Sequence, residues 1–145
     1  MSSLADDTRW LDATAQAELV ASGKVTPLEM VNAAIERVER YDGALNALTY
    51  RWFEAARELA SSNTLPDGPF RGVPYLLKDL YAAEAGKPLS NGSKAYKAAD
   101  YVSSEDTTLV SRYKAAGLIS IGRSNSPEFG SVPVTEPEAW GPTRN

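Results

Sequence analysis

The sequence Gly72-Val73-Pro74-Tyr75-Leu76-Leu77-Lys78-Asp79 decides how this chain is interpreted. A short apolar run, bounded by segments rich in glycine, proline and asparagine, is typical of a buried strand. The run ends on a lysine, and burial beside Leu76 and Leu77 favours the neutral form of its amine. A neutral amine accepts protons, so Lys78 is the candidate general base. The alternative is a surface lysine at the end of a strand.

Helices are predicted before this strand. One helix is expected to end at Gly23. The next has a strong start at Thr26-Pro27-Leu28-Glu29, which combines a capping threonine, proline at the first helical position and glutamate at the third. Its expected end is Asp42-Gly43. A short strand over residues 46–50 and a third helix around Ala56 follow.

After the strand, the pattern indicates an α/β unit. A helix is predicted to start at Asp106-Thr107-Thr108 and to stop at Gly117. The apolar strand Leu118-Ile119-Ser120-Ile121 follows at once, which is typical of α/β proteins. Residues 122–145 are rich in glycine, proline, serine and asparagine, so they are predicted to be loop with one helical turn near Ser126-Pro127-Glu128. The predicted fold class is α/β.

Composition excludes several classes of function. The 145 residues carry a net charge of -4, which argues against a nucleic-acid partner. Histidine and cysteine are absent, which excludes a Ser-His-Asp triad and a thiol nucleophile, so no metal and no cofactor are predicted. No apolar run approaches the ~20 residues of a membrane helix, and the first residues lack signal-peptide features. We therefore expect no membrane partner and a cytoplasmic location.

Four landmarks occur in one order along the chain. They are the lysine segment above, Gly92-Ser93, Gly122-Arg123-Ser124-Asn125-Ser126-Pro127-Glu128-Phe129-Gly130, and Thr135-Glu136-Pro137-Glu138-Ala139-Trp140-Gly141-Pro142-Thr143-Arg144-Asn145. Together they resemble the N-terminal third of the amidase signature family, from about Trp10 to the last residue. Within that family, residues 13–20 and 135–140 are most similar to the 6-aminohexanoate cyclic-dimer hydrolases, which open cyclic amides.

The resemblance implies an α/β fold with a mixed central sheet wrapped by helices. Residues 1–145 would be the N-terminal segment of a single amidase domain and incomplete as a domain, with 1–62 as a helical lead-in and 63–145 as the start of the α/β core. The implied chemistry is hydrolysis of a small-molecule amide by a Ser-Ser-Lys triad, in which Lys78 matches the lysine. In such enzymes a bridging serine relays a proton from a second serine, which attacks the carbonyl.

The sequence departs from the family pattern in two ways. The serine doublets at 2–3, 61–62 and 103–104 lack flanking glycines, so neither triad serine is assigned. Without a nucleophile and an oxyanion hole the chain alone is expected to be inactive, with a complementing C-terminal half as its predicted partner. The alternative is an inactive truncated fragment or a non-enzymatic interaction module. Arg123 also replaces the usual lysine and keeps the charge but not the geometry, so no role is assigned to it.

Other polar and aromatic residues near the landmarks receive structural interpretations. Asp79 is expected to pair with a cation or to cap backbone donors. Asn125 is expected to support a turn, and Glu128 and Ser93 are likewise not assigned to catalysis. The tryptophans Trp10, Trp52 and Trp140 are expected to be buried anchors. The amide that is hydrolysed and the oligomeric state stay open.

Overall fold

The computed structural model describes residues 3–145. Met1 and Ser2 lie outside the described residues, so one member of the first serine doublet is not described. The described helices and strands are α1 Leu4–Asp7, α2 Ala13–Ala21, α3 Pro27–Leu45, β1 Leu48–Arg51, α4 Phe53–Ser61, β2 Pro74–Lys78, α5 Lys94–Ala98, α6 Thr108–Ala115, β3 Ile119–Ser124 and a 3-10 turn at Glu128–Gly130. Across residues 3–145, none of the helices has the length and apolar character to cross a membrane. Helices α1 and α5 were not predicted, because four and five residues are too few to show a helical period.

Helix α3 begins where the sequence predicts. The Thr26 hydroxyl accepts the Glu29 N–H at 3.2 Å, and the Glu29 carboxylate accepts the Thr26 N–H at 2.8 Å. This reciprocal pair satisfies backbone donors that the first turn of a helix leaves without partners. The hydrogen bonds that the Glu29 carboxylate accepts from Thr26 also hold the pKa of Glu29 below its usual value, and the bond from the Thr26 backbone has the larger effect.

The predicted end of α3 at Asp42-Gly43 is wrong, because the helix continues to Leu45. Asp42 is buried, and its carboxylate accepts the Ala47 N–H at 2.7 Å. The Asp42 side chain thus accepts a backbone hydrogen bond from just beyond the helix. The Asp-Gly pair, which suggests a turn, does not reveal this role.

The three strands form one sheet with β3 in the middle. Strand β1 is antiparallel to β3. On the other side, the Ile119 N–H donates to the Val73 carbonyl at 2.9 Å, and the Asp79 N–H donates to the Ser124 carbonyl at 3.0 Å. Because both partners advance in the same direction, β2 runs parallel to β3. The sheet is mixed, and the predicted α/β class is confirmed.

The chain divides into two compact units. The first comprises the segment up to Tyr41 together with Trp52–Tyr75 and Arg112–Ile121. The second comprises Asp42–Arg51, Leu76–Ser111 and Gly122–Asn145. Strands β2 and β3 each begin in the first unit and end in the second. The sequence-based division into residues 1–62 and 63–145 of a single domain stays a prediction.

The core of the first unit is formed by α3, α4 and β3. Its buried side chains are Val31, Ala34 and Ile35 of α3, Ala56 and Ala60 of α4, Leu65, and Ile119 and Ile121 of β3. Burial of each large aliphatic side chain contributes about 1.5–3 kcal/mol. The spacing of three and four residues on α3 is therefore explained by packing against the sheet.

The three tryptophans have different environments. The Trp52 Nε1–H donates to the Ser120 carbonyl at 2.9 Å, which makes this side chain a half-buried anchor. The expectation that Trp10 is buried is wrong, because its side chain is 83% exposed. Trp10 lies in the segment between α1 and α2, where the Arg9 guanidinium is 4.6 Å from its ring centroid.

We expect Gly117→Ala to destabilise the protein, because Gly117 has a φ of +85° and an added Cβ would lie 2.6 Å from the Arg71 Cα. The expected loss in the free energy of unfolding is about 1–3 kcal/mol. The control is Gly43→Ala in α3, where no atom lies within 4 Å of the added Cβ. This control should gain about 0.5–1 kcal/mol from helix propensity. Urea unfolding of both variants tests the pair, and equal effects would contradict the prediction.

Candidate active site

Lys78 is the last residue of β2, and its side chain is exposed. Strand side chains alternate between the two faces, so Leu77 is buried while Leu76 and Lys78 face outward. The expectation that Leu76 and Leu77 desolvate the amine is therefore wrong for the described part of the chain. Among residues 3–145 the Lys78 ammonium has neither a hydrogen bond nor an ion pair. The amine is thus accessible to a bound molecule.

Asp79, the next residue, is completely buried. Its carboxylate accepts the Ser90 N–H at 2.8 Å and, in a short bond, the Ser90 hydroxyl. A buried carboxylate is costly unless hydrogen bonds compensate for its lost hydration, and Ser90 supplies two of them. The expectation that Asp79 caps a backbone donor is confirmed.

Ser90 connects Asp79 to the landmark around Trp140. The Ser90 hydroxyl oxygen accepts the Trp140 Nε1–H at 2.9 Å. The indole ring also meets Tyr50 edge-to-face, with centroids 4.9 Å apart, and the Lys97 Nζ lies 3.6 Å from its centroid. Trp140 is half-buried, and these contacts make it an anchor of the second unit.

The Tyr50 phenol responds to the charge of this cluster. Two effects raise the pKa of Tyr50 above its usual value of 10.0. Burial has the larger effect, and the negative charge of Asp79 has the next largest. The fold therefore stabilises the protonated phenol. This stabilisation is fully present below pH 10 and is lost as the pH rises through the higher pKa of the folded state.

Arg123, to which the sequence assigns no role, is completely buried. Its Nε donates to the Pro88 carbonyl at 2.6 Å. Its Nη1 donates to the carbonyls of Lys78 at 3.1 Å and Ala82 at 2.8 Å. The guanidinium thus joins the end of β2 to the two loop segments that follow it, which suits the planar fork of donors in arginine.

A signal for the burial of Arg123 is present in the sequence. Ile119, Ile121 and Arg123 alternate along β3, and all three are buried. The strand was predicted to end at Ile121, and that boundary places Arg123 in a loop. Continued alternation would have placed the guanidinium on the buried face, where an arginine requires hydrogen-bond acceptors.

The backbone after Lys78 is held in an unusual conformation. Tyr81, Asn91 and Phe129 all have positive φ, at 58°, 53° and 48°. Asparagine adopts this region readily, but tyrosine and phenylalanine rarely do. Asn91 bonds the backbone of the other two residues. Its carboxamide oxygen accepts the Tyr81 N–H at 2.8 Å, and its backbone carbonyl accepts the Phe129 N–H at 2.9 Å. Residue conformations of this kind cluster at functional sites.

The last landmark is hydrogen-bonded to the loop that follows β3 and to the segment that precedes β1. The Asn125 Nδ2 donates to the Gly141 carbonyl at 3.2 Å and to the Thr143 hydroxyl at 3.0 Å. The Thr143 hydroxyl in turn donates to the Asn46 carbonyl at 2.8 Å. The structural interpretation of Asn125 is confirmed, and the predicted helical turn is present at Glu128–Gly130.

The chemistry available in this region is that of one accessible amine. In the described residues, no set of three or more histidine, cysteine, aspartate or glutamate side chains could hold a metal ion. The hydroxyls of Ser61 and Ser62 donate to carbonyls of α4, so this doublet forms local caps. The Lys78 backbone adjoins the buried Asp79 and is bonded by the buried Arg123, and no serine hydroxyl within residues 3–145 bonds the Lys78 amine.

The chain is similar to known amidases in sequence. Residues 29–145 match the model of the Amidase family. The chain is 44% identical over 136 residues to a 6-aminohexanoate-cyclic-dimer hydrolase of Paenarthrobacter ureafaciens, covering 94% of this chain and 27% of that protein. It is 34% identical over 144 residues to an acylamidase of Rhodococcus erythropolis, covering 94% and 29%. The chain thus spans about a quarter of the length of these curated relatives.

Solved structures share the fold. A 6-aminohexanoate cyclic dimer hydrolase complexed with substrate superposes with a TM-score of 0.87 at 44% identity, over 94% of this chain and 28% of that chain. A bacterial aryl acylamidase superposes with a TM-score of 0.84 at 34% identity, over 94% and 29%. Since the family model matches most of the residues and the fold agrees with relatives of this identity, the chain belongs to the Amidase family, as the ordered landmarks predict.

Proposed function

We propose that this protein hydrolyses amide bonds and that Lys78 is the general base of a Ser-Ser-Lys triad. The observation that carries the proposal is the 44% identity, over 94% of the chain, to a protein named as a cyclic-dimer hydrolase. The accessible amine at the end of β2 supports it, because a base must be reachable by the group that it deprotonates.

In the proposed reaction the Lys78 amine accepts a proton from a bridging serine. That serine accepts the proton of a second serine, whose oxygen attacks the carbonyl carbon of the amide. The C–N bond then breaks, the nitrogen leaves as an amine after receiving the proton, and an acyl-enzyme ester remains. Water, deprotonated in the same way, attacks the ester and releases the carboxylate. Neither serine is assigned to a position in this chain.

The exposure of Lys78 sets a condition on this mechanism. A lysine acts as a base only in its neutral form, which desolvation favours. Leu76 and Leu77 do not provide that desolvation, because Leu76 is itself exposed and Leu77 lies on the other face. We therefore propose that Lys78 loses water when substrate, or protein groups other than residues 3–145, cover it.

We propose cyclic amides of the 6-aminohexanoate type as substrates, because this name belongs to two relatives at 44% identity. The test is a panel of 6-aminohexanoate cyclic dimer, its linear dimer, an anilide and a carbamate, assayed by release of new amine groups. We expect the cyclic dimer to exceed the linear amides by about 10–200-fold in kcat/KM, the range that apolar pockets achieve. If only the anilide were hydrolysed, the proposal of amide hydrolysis would stand and the proposal of a cyclic substrate would be rejected.

The alternative is an inactive fragment or a non-enzymatic interaction module. It is favoured by the unassigned serines, and it predicts no turnover of any substrate in the panel. To distinguish the two hypotheses, we would assay the chain alone and together with the remaining part of an amidase domain as a separate polypeptide. Activity only in the mixture would indicate a complementing half. The absence of cofactor, nucleic-acid and membrane partners, and the cytoplasmic location, stay predictions.

A further inference from the structure

We infer that Trp140, Ser90 and Asp79 form a chain of hydrogen bonds that positions Lys78 for the reaction. This inference rests on the proposed function of Lys78, and it assigns Asp79, Ser90 and Trp140 as positioning residues. Their contacts join the lysine strand to a tryptophan 50 positions beyond Ser90.

The direction of the chain follows from the chemistry of its members. An indole N–H only donates, so the Ser90 oxygen must accept the bond of 2.9 Å from Trp140. The proton of the Ser90 hydroxyl is then directed to Asp79, whose second oxygen accepts the Ser90 N–H at 2.8 Å. Asp79 accepts one bond at each oxygen in this arrangement, and the Ser90 oxygen also accepts the Gly92 N–H at 3.2 Å and has the Tyr50 phenol as a further partner.

The backbone at Lys78 is held on both sides while its side chain is free. The Lys78 carbonyl accepts Arg123 Nη1 at 3.1 Å, and the Asp79 N–H donates to the Ser124 carbonyl at 3.0 Å. Asp79 is completely buried, so loss of the Ser90 bonds would leave its carboxylate without compensating donors and would favour a shift of this residue. The Ser90 bonds therefore restrain the direction in which the neighbouring Lys78 side chain leaves the strand.

Trp140, the terminal donor of this series of hydrogen bonds, is itself held in place by other contacts. The Asn46 Nδ2 donates to the Trp140 carbonyl at 2.9 Å. The Lys97 ammonium lies 3.6 Å from the indole centroid, and it also donates to the Ala139 carbonyl at 2.6 Å. A shift of the landmark around Trp140 would thus be felt at Ser90 and Asp79. A displacement of about 1 Å in a catalytic group costs about 10² in rate.

The test compares Ser90→Ala and Trp140→Phe in the intact protein with Ser61→Ala as a matched control. Ser61 is an exposed serine whose hydroxyl donates to the Arg57 carbonyl of its own helix. We expect Ser90→Ala to lower kcat about 10²-fold, per folded molecule by circular dichroism, with KM unchanged. Trp140→Phe keeps an aromatic side chain but replaces the indole with a smaller ring that has no N–H donor, so the bond to Ser90 is lost and a smaller fall in kcat with unchanged KM is expected. Ser61→Ala should change neither constant.

The outcomes separate this inference from the proposed function. If Lys78→Ala abolishes turnover while Trp140→Phe and Ser90→Ala keep the wild-type kcat, Lys78 is the base and the positioning chain is refuted. If Lys78→Ala keeps full turnover, the proposed role of Lys78 as the base fails whatever the other variants do, although amide hydrolysis stands. A rise in KM equal to the fall in kcat would assign these residues to substrate binding and would also overturn the inference.

Discussion

Lys78→Ala is expected to reduce amide hydrolysis about 10²–10⁴-fold, the contribution of a positioned general base. The change removes the only amine that the sequence and the structure place at the end of β2, where it is exposed among residues 3–145. Because that side chain makes no hydrogen bond or ion pair in this part of the chain, its loss should leave the thermal unfolding midpoint unchanged. The measurement is kcat/KM on the best substrate of the panel.

Two controls sharpen this prediction. Lys78→Arg keeps the positive charge, but a guanidinium does not lose its proton in proteins, so this variant should be as inactive as Lys78→Ala. Lys24→Ala removes an exposed lysine of the first unit and should leave kcat/KM unchanged. Wild-type activity in Lys78→Arg would show that the charge, rather than proton transfer, is what the reaction requires.

Arg123→Met is expected to lower the free energy of unfolding by about 3 kcal/mol or more. The buried guanidinium donates to the carbonyls of Pro88, Lys78 and Ala82. Methionine is an unbranched apolar side chain that is shorter than arginine and has no donor, and each buried group left without its partner costs about 1–3 kcal/mol. Urea unfolding followed by circular dichroism measures the loss.

Arg123→Lys and an exposed arginine serve as controls for this effect. Lysine retains the charge but places it at one point, so Arg123→Lys should lose part of the stability and not recover the contacts of the fork. Arg112→Met, on the exposed side of α6, should have little effect. Equal stability of Arg123→Met and Arg112→Met would mean that the buried guanidinium contributes nothing beyond its volume.

The loss of Arg123 should also affect activity at temperatures where the variant is folded. Its Nη1 bond to the Lys78 carbonyl helps to hold the end of β2. The same residue therefore contributes to stability and to the geometry of the candidate base.

Several features were predictable because short-range interactions determine them. The start of α3 at Pro27 depends on bonds between Thr26 and Glu29, three residues apart. The strands β2 and β3 follow from apolar runs between turn-forming residues, and the order of the landmarks identifies the family. Each of these signals lies within a few neighbouring residues, so it is legible without knowledge of the rest of the fold.

The environment of the candidate site was not predictable in the same way. Lys78 was expected to be buried because its neighbours are apolar, but strand alternation in the sheet leaves it outside while Leu77 is inside. Trp10 was expected to be buried but is 83% exposed, whereas Arg123, to which no role was assigned, is fully buried. Burial depends on which elements cover a face, and that is a property of the assembled chain.

From the order of its residues alone, this protein is an α/β member of the Amidase family with Lys78 as its candidate base. Folding in three dimensions then brought Trp140 to Ser90 and Ser90 to Asp79, across separations of 50 and 11 residues. It also carried the Arg123 guanidinium to carbonyls at least 35 positions away. Periodicity and capping act over a few residues, whereas these contacts exist only because the mixed sheet and its loops bring distant segments together.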